Sequence, residues 1–199
     1  MSVRRRGRAR RARTTLAAGA VVAVAVGGLA GCTQESPSSE PASAAMPRMT
    51  TFAADDRKAA PLLRGPTLTG QDLDVAGYRG KVVVLNGWAS WCQPCEVETP
   101  ALVRVAKSTA SSGVQFVGIN TRDGARNGQA FAERFDVPYP SLHDPDGEVV
   151  VRFNRTVPPA ALPFTLILDR QGRVAVRVIG EVTEKQLRDA LAPLVAEQA

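Results

Sequence analysis

The sequence predicts an α/β domain with a central mixed β-sheet and helices on both faces, and three observations lead to this fold class. Two apolar runs, residues 81–89 and 114–120, are continuous in the way that strands buried on both faces are. Each run is followed by a segment whose apolar residues have helical spacing. Residues 162–180 then contain two more apolar runs joined by a glycine turn, ahead of a last amphipathic segment.

The basic character of the chain belongs to its first residues. The 199 residues carry a formal net charge of +6, and of the 25 Lys and Arg residues seven precede residue 14, which leaves 18 basic against 19 acidic side chains. The first acidic residue is Glu35. The rest of the chain is therefore close to neutral, and we expect no nucleic acid among its partners.

We interpret residues 1–31 as a lipoprotein signal peptide. An arginine-rich start precedes residues 16–31, an apolar run rich in Gly and Ala that is short for a hydrocarbon core of about 30 Å. A permanent membrane helix is the alternative. Residues 29–32, Leu-Ala-Gly-Cys, resemble a bacterial lipobox, which implies that Cys32 is lipidated and becomes the first mature residue. A diacylglyceryl group supplies two chains, enough for stable anchoring; otherwise Cys32 is an unmodified thiol.

Residues 32–56 differ from both neighbouring segments. They are rich in Ser, Pro, Ala and Glu and bury too little apolar surface to offset the ordering entropy, so we expect a disordered tether that begins at Cys32. Residues 57–199 form the predicted folded domain, which is long enough for one compact core. Turn residues at short intervals predict a hairpin over residues 62–80, ahead of the strand at residues 81–89.

The remaining elements follow from periodicity and capping. Helices are expected over residues 94–110 and around residues 128–136, on either side of the strand at residues 114–120. The hairpin within residues 162–180 turns at a glycine because glycine adopts a positive φ at low cost. Thr183 has the side chain of an N-cap for the closing helix.

Two cysteines, Cys92 and Cys95, lie where the strand at residues 81–89 leads into the next helix. A structural zinc site usually needs four ligands, whereas this domain offers two cysteines and one histidine, so we expect no metal. A structural disulfide in so short a loop stabilises little, because the benefit grows with loop length. The spacing and the position favour a reversible redox pair.

The start of a helix explains why such a pair would be reactive. A thiolate is the attacking species, and the free N–H groups and helix dipole stabilise it by on the order of 1–2 kcal/mol. Cys92 receives this stabilisation most directly, whereas Cys95 lies one turn further in. We therefore expect Cys92 to attack a substrate disulfide and Cys95 to resolve the mixed disulfide. No cofactor is expected beyond the redox-active disulfide between them.

The sequence Trp91-Cys92-Gln93-Pro94-Cys95, the later Leu162-Pro163 pair and the order of elements resemble the thioredoxin superfamily. Within it, the chain resembles the membrane-tethered TlpA/ResA-like thiol–disulfide oxidoreductases. The resemblance covers residues 60–198. It implies a thioredoxin-like fold with an added N-terminal β-hairpin and a central insertion.

Two polar residues beside the cysteines carry the TlpA/ResA resemblance further. Asn86 stands where thioredoxins usually have a buried aspartate, and Glu98 follows the second cysteine by three residues. On a helix Glu98 shares a face with Cys95. The resemblance implies that Glu98 is catalytic through the proton of Cys95. The alternative is an ordinary solvated helix residue.

The resemblance also implies a substrate surface. It predicts a cis Leu162-Pro163 bond facing the dithiol, which turns the Leu162 backbone outward to pair with an extended substrate segment. A trans proline at the start of an edge strand is the alternative. Trp91, Gln93 and Pro94 are the other expected substrate contacts, whereas Trp88 is expected in the core.

Three features depart from the family pattern. Gly87 stands where the family often has Phe, and Phe164 follows the proline where the family often has Thr. Residues 154–161 form a longer connection than usual. Because these changes lie near the substrate surface, the identity of the partner does not carry over from relatives. The only histidine, His143, lies in a polar stretch and is expected at the surface without a catalytic role.

The resemblance implies a protein disulfide reductase on the outer face of the bacterial cytoplasmic membrane. Its substrates would be extracytoplasmic protein disulfides, with apocytochrome c in cytochrome c maturation as the leading example. A membrane thiol transporter of the CcdA/DsbD type would supply electrons to this lipid-anchored monomer.

Two other functions are alternatives. A thiol peroxidase of the peroxiredoxin type would have Thr three residues before its nucleophile, where this chain has Ala89, so antioxidant activity is not expected. A thioredoxin-like partner-docking module would have no use for an intact cysteine pair.

Overall fold

The computed structural model describes residues 48–197. The predicted signal peptide, Cys32 and the tether up to residue 47 lie outside the described residues. The strands are β1 (Arg48–Thr51), β2 (Arg64–Pro66), β3 (Asp72–Asp74), β4 (Val82–Trp88), β5 (Val114–Thr121), β6 (Ser141–Asp144), β7 (Phe164–Leu168) and β8 (Val174–Ile179). The α-helices are α1 (Gln93–Thr109), α2 (Ala125–Arg134), α3 (Glu148–Val151) and α4 (Glu184–Ala196).

The main sheet is mixed, as predicted. Its six strands have the order β1-β8-β7-β4-β5-β6. The central strand β4 pairs in parallel with β5 and in antiparallel fashion with β7, and β5 pairs in parallel with β6. Every residue of β4 is buried, which accounts for its unbroken apolar sequence.

Helices cover both faces of this sheet, which confirms the predicted architecture. Val82 and Val84 of β4 belong to an apolar cluster with α1 and α4. Val83 points the other way, into a cluster to which α3 and the segment before β4 contribute. A third cluster surrounds the carboxyl end of β4 and brings Trp88 together with Phe131 of α2 and both cysteines.

The added N-terminal hairpin is confirmed, but the folded part begins earlier than predicted. β2 and β3 pair in antiparallel fashion and form the separate two-stranded sheet. The tether boundary at residue 56 is wrong, because β1 already pairs with β8 along the edge of the main sheet. The four residues Arg-Met-Thr-Thr have no periodicity that separates them from a polar linker, and β8 supplies the partner that makes them a strand.

Between α2 and β7 the chain forms β6, α3 and a connection that leads to Leu162. The apolar residues Val150, Phe153 and Val157 of this segment are buried under the sheet. The expectation that His143 lies at the surface is wrong. His143 belongs to β6, pairs with Asn120 of β5 and is half-buried. The polar stretch around it forms a strand because it pairs with β5.

The first and last described residues lie at opposite ends of the main sheet. Arg48 pairs with Ile179, which pairs with Phe164 beside the carboxyl end of β4. Helix α4 starts at this same end, where Thr183 forms the predicted N-cap. It runs back to the β7–β8 turn, where the carbonyl of Glu197 accepts a hydrogen bond from that turn. None of the helices within residues 48–197 is long and apolar enough to span a bilayer.

Candidate active site at the start of helix α1

Cys92 and Cys95 form a disulfide at the first turn of α1. Their sulfur atoms are 1.99 Å apart and their Cα atoms 5.2 Å apart. Cys92 is the N-cap of the helix, and its Sγ accepts a hydrogen bond from the Cys95 N–H at 3.3 Å. Within residues 48–197, no group of three or more His, Cys, Asp or Glu side chains is arranged to hold a metal ion. The N-cap position of Cys92 places the pair for thiol–disulfide chemistry at a helix N-terminus.

Cys92 is more exposed than Cys95, as expected if Cys92 attacks the substrate first and Cys95 resolves the mixed disulfide. Cys92 is 5% exposed and Cys95 is fully buried. Both belong to the apolar cluster around Trp88, so water reaches the pair only on the side of Cys92. This geometry supports the assignment of Cys92 as the attacking sulfur and Cys95 as the resolving sulfur.

Glu98 is buried inside the domain, which excludes the solvated alternative. It is 2% exposed, and its carboxyl oxygens accept hydrogen bonds from Asn86 Nδ2 at 2.7 Å and from the Val182 N–H at 2.9 Å. Burial raises the pKa of Glu98 to about 8, although both hydrogen bonds act in the opposite direction by favouring the carboxylate. In the disulfide form, Glu98 therefore carries a proton at neutral pH.

Asn86 connects Glu98 to the proline strand. Its Nδ2 donates to Glu98 and also lies 3.3 Å from the carbonyl oxygen of Phe164 in β7. Because the amide is neutral, it holds Glu98 in place without a second charge. An aspartate at this position would put two carboxyl groups in contact and disfavour the ionised form of both.

The Leu162-Pro163 bond is cis, as the resemblance implies. Pro163 is buried, and its carbonyl accepts a hydrogen bond from the Gly180 N–H at 2.9 Å. Leu162 is half-buried and packs against the apolar cluster that contains both cysteines. Gln93 and Pro94 are exposed in the first turn of α1. Leu162 therefore lies in the same apolar cluster as Cys92, and Trp91, Gln93 and Pro94 are next to Cys92 in the chain.

The tryptophans have the two environments that the sequence predicts. Trp88 is 3% exposed, stacks on Phe131 at a centroid distance of 4.7 Å and donates to Ser141 Oγ. Trp91 is 61% exposed, and its indole N–H donates to the carbonyl oxygen of Arg122 at 2.9 Å. Trp91 is therefore a solvent-facing ring held in place by one hydrogen bond.

Phe164 fills the space that Gly87 leaves. A Cβ atom built on Gly87 would lie 2.0 to 2.5 Å from the Phe164 ring. The two residues face each other across β4 and β7. The two departures from the family pattern therefore compensate for each other. The aromatic ring that the family often has at position 87 of β4 is here supplied by Phe164 of β7.

Sequence reasoning missed the turn after β5. There Asp123 bonds the loop before Cys92, and Arg122 has a positive φ of 51°. A signal for it exists in the sequence, since the polar residues Arg122, Asp123 and Gly124 follow a buried strand directly. The carboxyl ends of neighbouring parallel strands meet at one edge of a sheet, which brings this turn beside the cysteine loop.

Comparison with known proteins identifies the family. The profile of the AhpC/TSA family matches residues 57–177, more than half of the chain. The chain belongs to the AhpC/TSA family. Thiol-disulfide oxidoreductase ResA of Geobacillus thermodenitrificans is 32% identical to this AhpC/TSA protein over 124 residues, which are 62% of this chain and 69% of the relative.

Two solved structures resemble this AhpC/TSA protein closely. A DsbF homologue from Corynebacterium diphtheriae has a TM-score of 0.70 at 31% identity, covering 80% of this chain and 96% of the other. A secreted thiol-disulfide isomerase from Corynebacterium glutamicum has a TM-score of 0.71 at 30% identity, covering 81% and 96%. The thioredoxin-like fold and the bonded cysteine pair thus agree with the names of the relatives. This AhpC/TSA protein is a thiol–disulfide oxidoreductase.

Proposed function

We propose that this oxidoreductase reduces disulfide bonds of extracytoplasmic proteins by dithiol–disulfide exchange at Cys92 and Cys95. The observation that carries the proposal is the graded burial of the pair: Cys92 reaches solvent at the helix start, and Cys95 lies beneath it. The proline in Cys-Gln-Pro-Cys, which resembles reducing members of the family, supports the reducing direction.

The exchange moves two electrons from the cysteine pair to the substrate disulfide, and the two product thiols take one proton from Cys95 and one from solvent. The Cys92 thiolate attacks one sulfur of the substrate disulfide, a mixed disulfide forms, and the other substrate sulfur leaves as a thiol after taking up a proton. The Cys95 thiol then loses its proton, and its sulfur attacks Cys92 Sγ. The second substrate sulfur leaves, and the enzyme is left with the disulfide that the structure contains.

We assign Glu98 as the group that donates a proton to Cys95 and accepts it back. It shares a face of α1 with Cys95 and carries a proton at neutral pH when the disulfide is closed, because burial raises its pKa to about 8. When an electron donor opens the disulfide, Cys95 leaves as a thiolate and Glu98 can supply its proton. In the resolving step Glu98, as a carboxylate, takes that proton back.

Substrate recognition is assigned to the surface around Cys92. Trp91 is a solvent-facing ring on one side, and Leu162 with Pro163 lies on the other. An extended segment that carries the substrate cysteine can add to this surface along the Leu162 backbone, while Gln93 and Pro94 border it at the helix start.

The proposed location is the outer face of the bacterial cytoplasmic membrane, with a lipid anchor at Cys32 ahead of a tether. The lipobox-like sequence supports it, and a relative in Corynebacterium glutamicum is named as secreted. In that location the partners are an electron donor of the CcdA/DsbD type and oxidised protein substrates, with apocytochrome c as the leading candidate. The protein acts as a monomer.

Two measurements test the proposal. Equilibration with glutathione should give a potential between about −230 and −300 mV, whereas a value near −120 mV would make the protein an oxidant. A Cys95→Ser variant should accumulate mixed disulfides through Cys92, and the captured chains identify the substrates; absence of any mixed disulfide contradicts the proposed exchange. The reduced protein should not turn over hydrogen peroxide, since Ala89 stands where a peroxiredoxin would have Thr.

A further inference from the structure

We propose that the turn formed by Arg122 and Asp123, directly after β5, positions both sides of the substrate surface and so determines how well a protein disulfide reacts at Cys92 relative to a small one. The inference rests on the disulfide reduction proposed above. Arg122 and Asp123 are positioning residues, because they act through the loops that carry Trp91 and Leu162.

Asp123 holds the loop that leads into Cys92. Its carboxylate is 7% exposed and accepts hydrogen bonds from the Ser90 N–H at 2.7 Å, from Ser90 Oγ at 2.9 Å and from Asn120 Nδ2 at 2.9 Å. Ser90 lies two residues before Cys92. Charge-assisted hydrogen bonds of this kind are stronger than neutral ones, so the carboxylate fixes where the cysteine loop leaves β4.

The backbone of Arg122 holds Trp91. Its carbonyl oxygen accepts the indole N–H of Trp91 at 2.9 Å, and its φ is 51°. A positive φ is uncommon for a residue other than glycine, and the neighbouring Asp123 contacts keep this turn in place. An exposed aromatic ring with its N–H bonded samples fewer rotamers, so one side of the substrate surface is ordered before a substrate binds.

The side chain of Arg122 holds the opposite side. Its guanidinium donates to the carbonyl oxygen of Pro159, three residues before Leu162. Its aliphatic part lies against Gly147 at the start of α3, where a Cβ atom would be 3.5 Å from Arg122 Cγ. Arg122 therefore links the two sides of the substrate surface. Its carbonyl binds Trp91, and its side chain binds the connection that leads to Leu162.

This arrangement matters most for substrates that contact both sides. A small disulfide needs only the exposed edge of Cys92, whereas an extended protein segment needs Trp91 and Leu162 at the correct separation. If the link is lost, the loops must be ordered when the protein binds, and affinity falls by that ordering cost. We expect the change in KM for protein disulfides, with little change in kcat.

Arg122→Gly separates the two roles of the residue. Glycine tolerates the positive φ and keeps the carbonyl that binds Trp91, but it has no bond to Pro159. With purified full-length protein and dithiothreitol as the two-electron donor, KM for oxidised insulin should rise by about fivefold to tenfold, the effect of losing one ordering contact. Under the same conditions, kcat/KM for oxidised glutathione should stay within about twofold. Arg126→Ala removes an exposed arginine from the start of α2 and is the charge control, with both rates unchanged.

The outcomes separate this inference from the proposed function. Wild-type protein that reduces neither disulfide contradicts the proposed function. Wild-type protein that reduces both, with an Arg122→Gly variant whose ratio of insulin to glutathione rates is unchanged, overturns the role of Arg122 alone. An equal loss on both substrates also overturns it, because a general structural defect would give that result.

Asp123 provides a second variant at the other end of the link. Asp123→Asn keeps an oxygen acceptor for the Ser90 N–H, whereas Asp123→Ala removes it. The alanine variant should lose about tenfold in kcat/KM on oxidised insulin and no more than about twofold on oxidised glutathione, because the loop that carries Trp91 is no longer held. The asparagine variant should recover most of the loss on insulin. Equal rates for the alanine variant and wild type would overturn the role of Asp123.

Discussion

At the residue scale, Gly87 and Phe164 behave as one packing unit. Because a Cβ atom on Gly87 would lie within 2.5 Å of the Phe164 ring, any side chain at position 87 requires the ring to move. Gly87→Ala should therefore lower the free energy of unfolding by about 1–3 kcal/mol, measured by urea denaturation.

A double substitution tests whether the two positions exchange volume. Phe164→Thr alone leaves a cavity at a fully buried site and should destabilise the domain by about 3 kcal/mol. Gly87→Phe combined with Phe164→Thr should recover more than half of that loss, because the ring is then supplied from β4. Additive losses in the double variant would show that the positions do not compensate for each other.

Glu98 should make stability depend on pH. Its pKa is raised to about 8, so between the unfolded value of about 4.5 and that pH the folded state holds a proton that the unfolded state lacks. The stabilisation is complete below the unfolded pKa and is lost as pH rises through 8. For the disulfide form, we expect the free energy of unfolding to fall by about 1.4 kcal/mol per pH unit across this window.

Substitution identifies the group responsible for this slope. Glu98→Gln should flatten the dependence of unfolding free energy on pH, because glutamine does not titrate. Glu133→Gln, at an exposed position of α2, removes the same formal charge and should keep the slope. A wild-type slope that survives in Glu98→Gln contradicts the assignment.

The site residues differ in how far the sequence alone identifies them. Cys92 and Cys95 are recognisable because their spacing and position at a strand-to-helix junction define the chemistry. Glu98 required the structure, since helical spacing places it beside Cys95 but does not show that Val182, from a distant segment, buries and binds it. Asp123 was missed for the same reason, as its partners depend on which strands are neighbours.

At the element scale, the start of α4 contributes to the site as well as to the fold. Thr183 forms a capping box with Gln186, with hydrogen bonds of 3.3 Å and 2.9 Å, and the preceding Val182 N–H bonds Glu98. Thr183→Ala should lower the free energy of unfolding by about 1 kcal/mol, and Thr183→Ser should retain most of it.

Thr183→Ala should also change the pKa of Glu98. If the first turn of α4 loosens, the Val182 hydrogen bond that favours the carboxylate weakens, and the pKa of Glu98 should rise further. Carboxyl-carbon NMR of Glu98 in Thr183→Ala and in wild type measures this. An unchanged titration, together with the loss of stability, would show that the cap acts on the helix alone.

Elements with strong local signals were predictable, and those made by pairing were not. The strands β4 and β5 are long and apolar, and α1 and α4 have clear periodicity and caps, so their sequence specifies them. In contrast, β1 and β6 have four residues each and become strands by pairing with β8 and β5. Contacts with distant strands stabilise β1 and β6, and local sequence patterns do not reveal those contacts.

At the scale of the whole molecule, the described chain starts at the end of the sheet that carries the disulfide and finishes at the opposite end. Arg48 pairs with Ile179 at the end of the sheet where β4 has its carboxyl end, whereas Glu197 lies at the β7–β8 turn. An anchor at Cys32 would therefore hold the cysteine side towards the membrane, and an anchor of equal length at the C-terminus would hold it away.

Moving the anchor tests this orientation. A Cys32→Ala variant with a lipid-bearing segment of the same length after the last residue should be re-reduced at least tenfold more slowly in membranes that contain the electron donor. Both proteins should reduce oxidised glutathione equally well in detergent, which controls for folding. Equal re-reduction in membranes would show that the direction of attachment is unimportant.

The position of Arg48 also limits the search for partners. Residues 33–47 separate Cys32 from the first strand and can extend at most roughly 50 Å. Because that strand begins at the end of the sheet that carries the disulfide, a lipid anchor at Cys32 would keep Cys92 within reach of the lipid headgroups. Encounters with membrane-bound thiols would then resemble an intramolecular reaction at roughly millimolar effective concentration. With such an anchor, soluble oxidised chains would have to approach the membrane to react, so attachment would favour rapid re-reduction of the enzyme over access to a wide range of substrates.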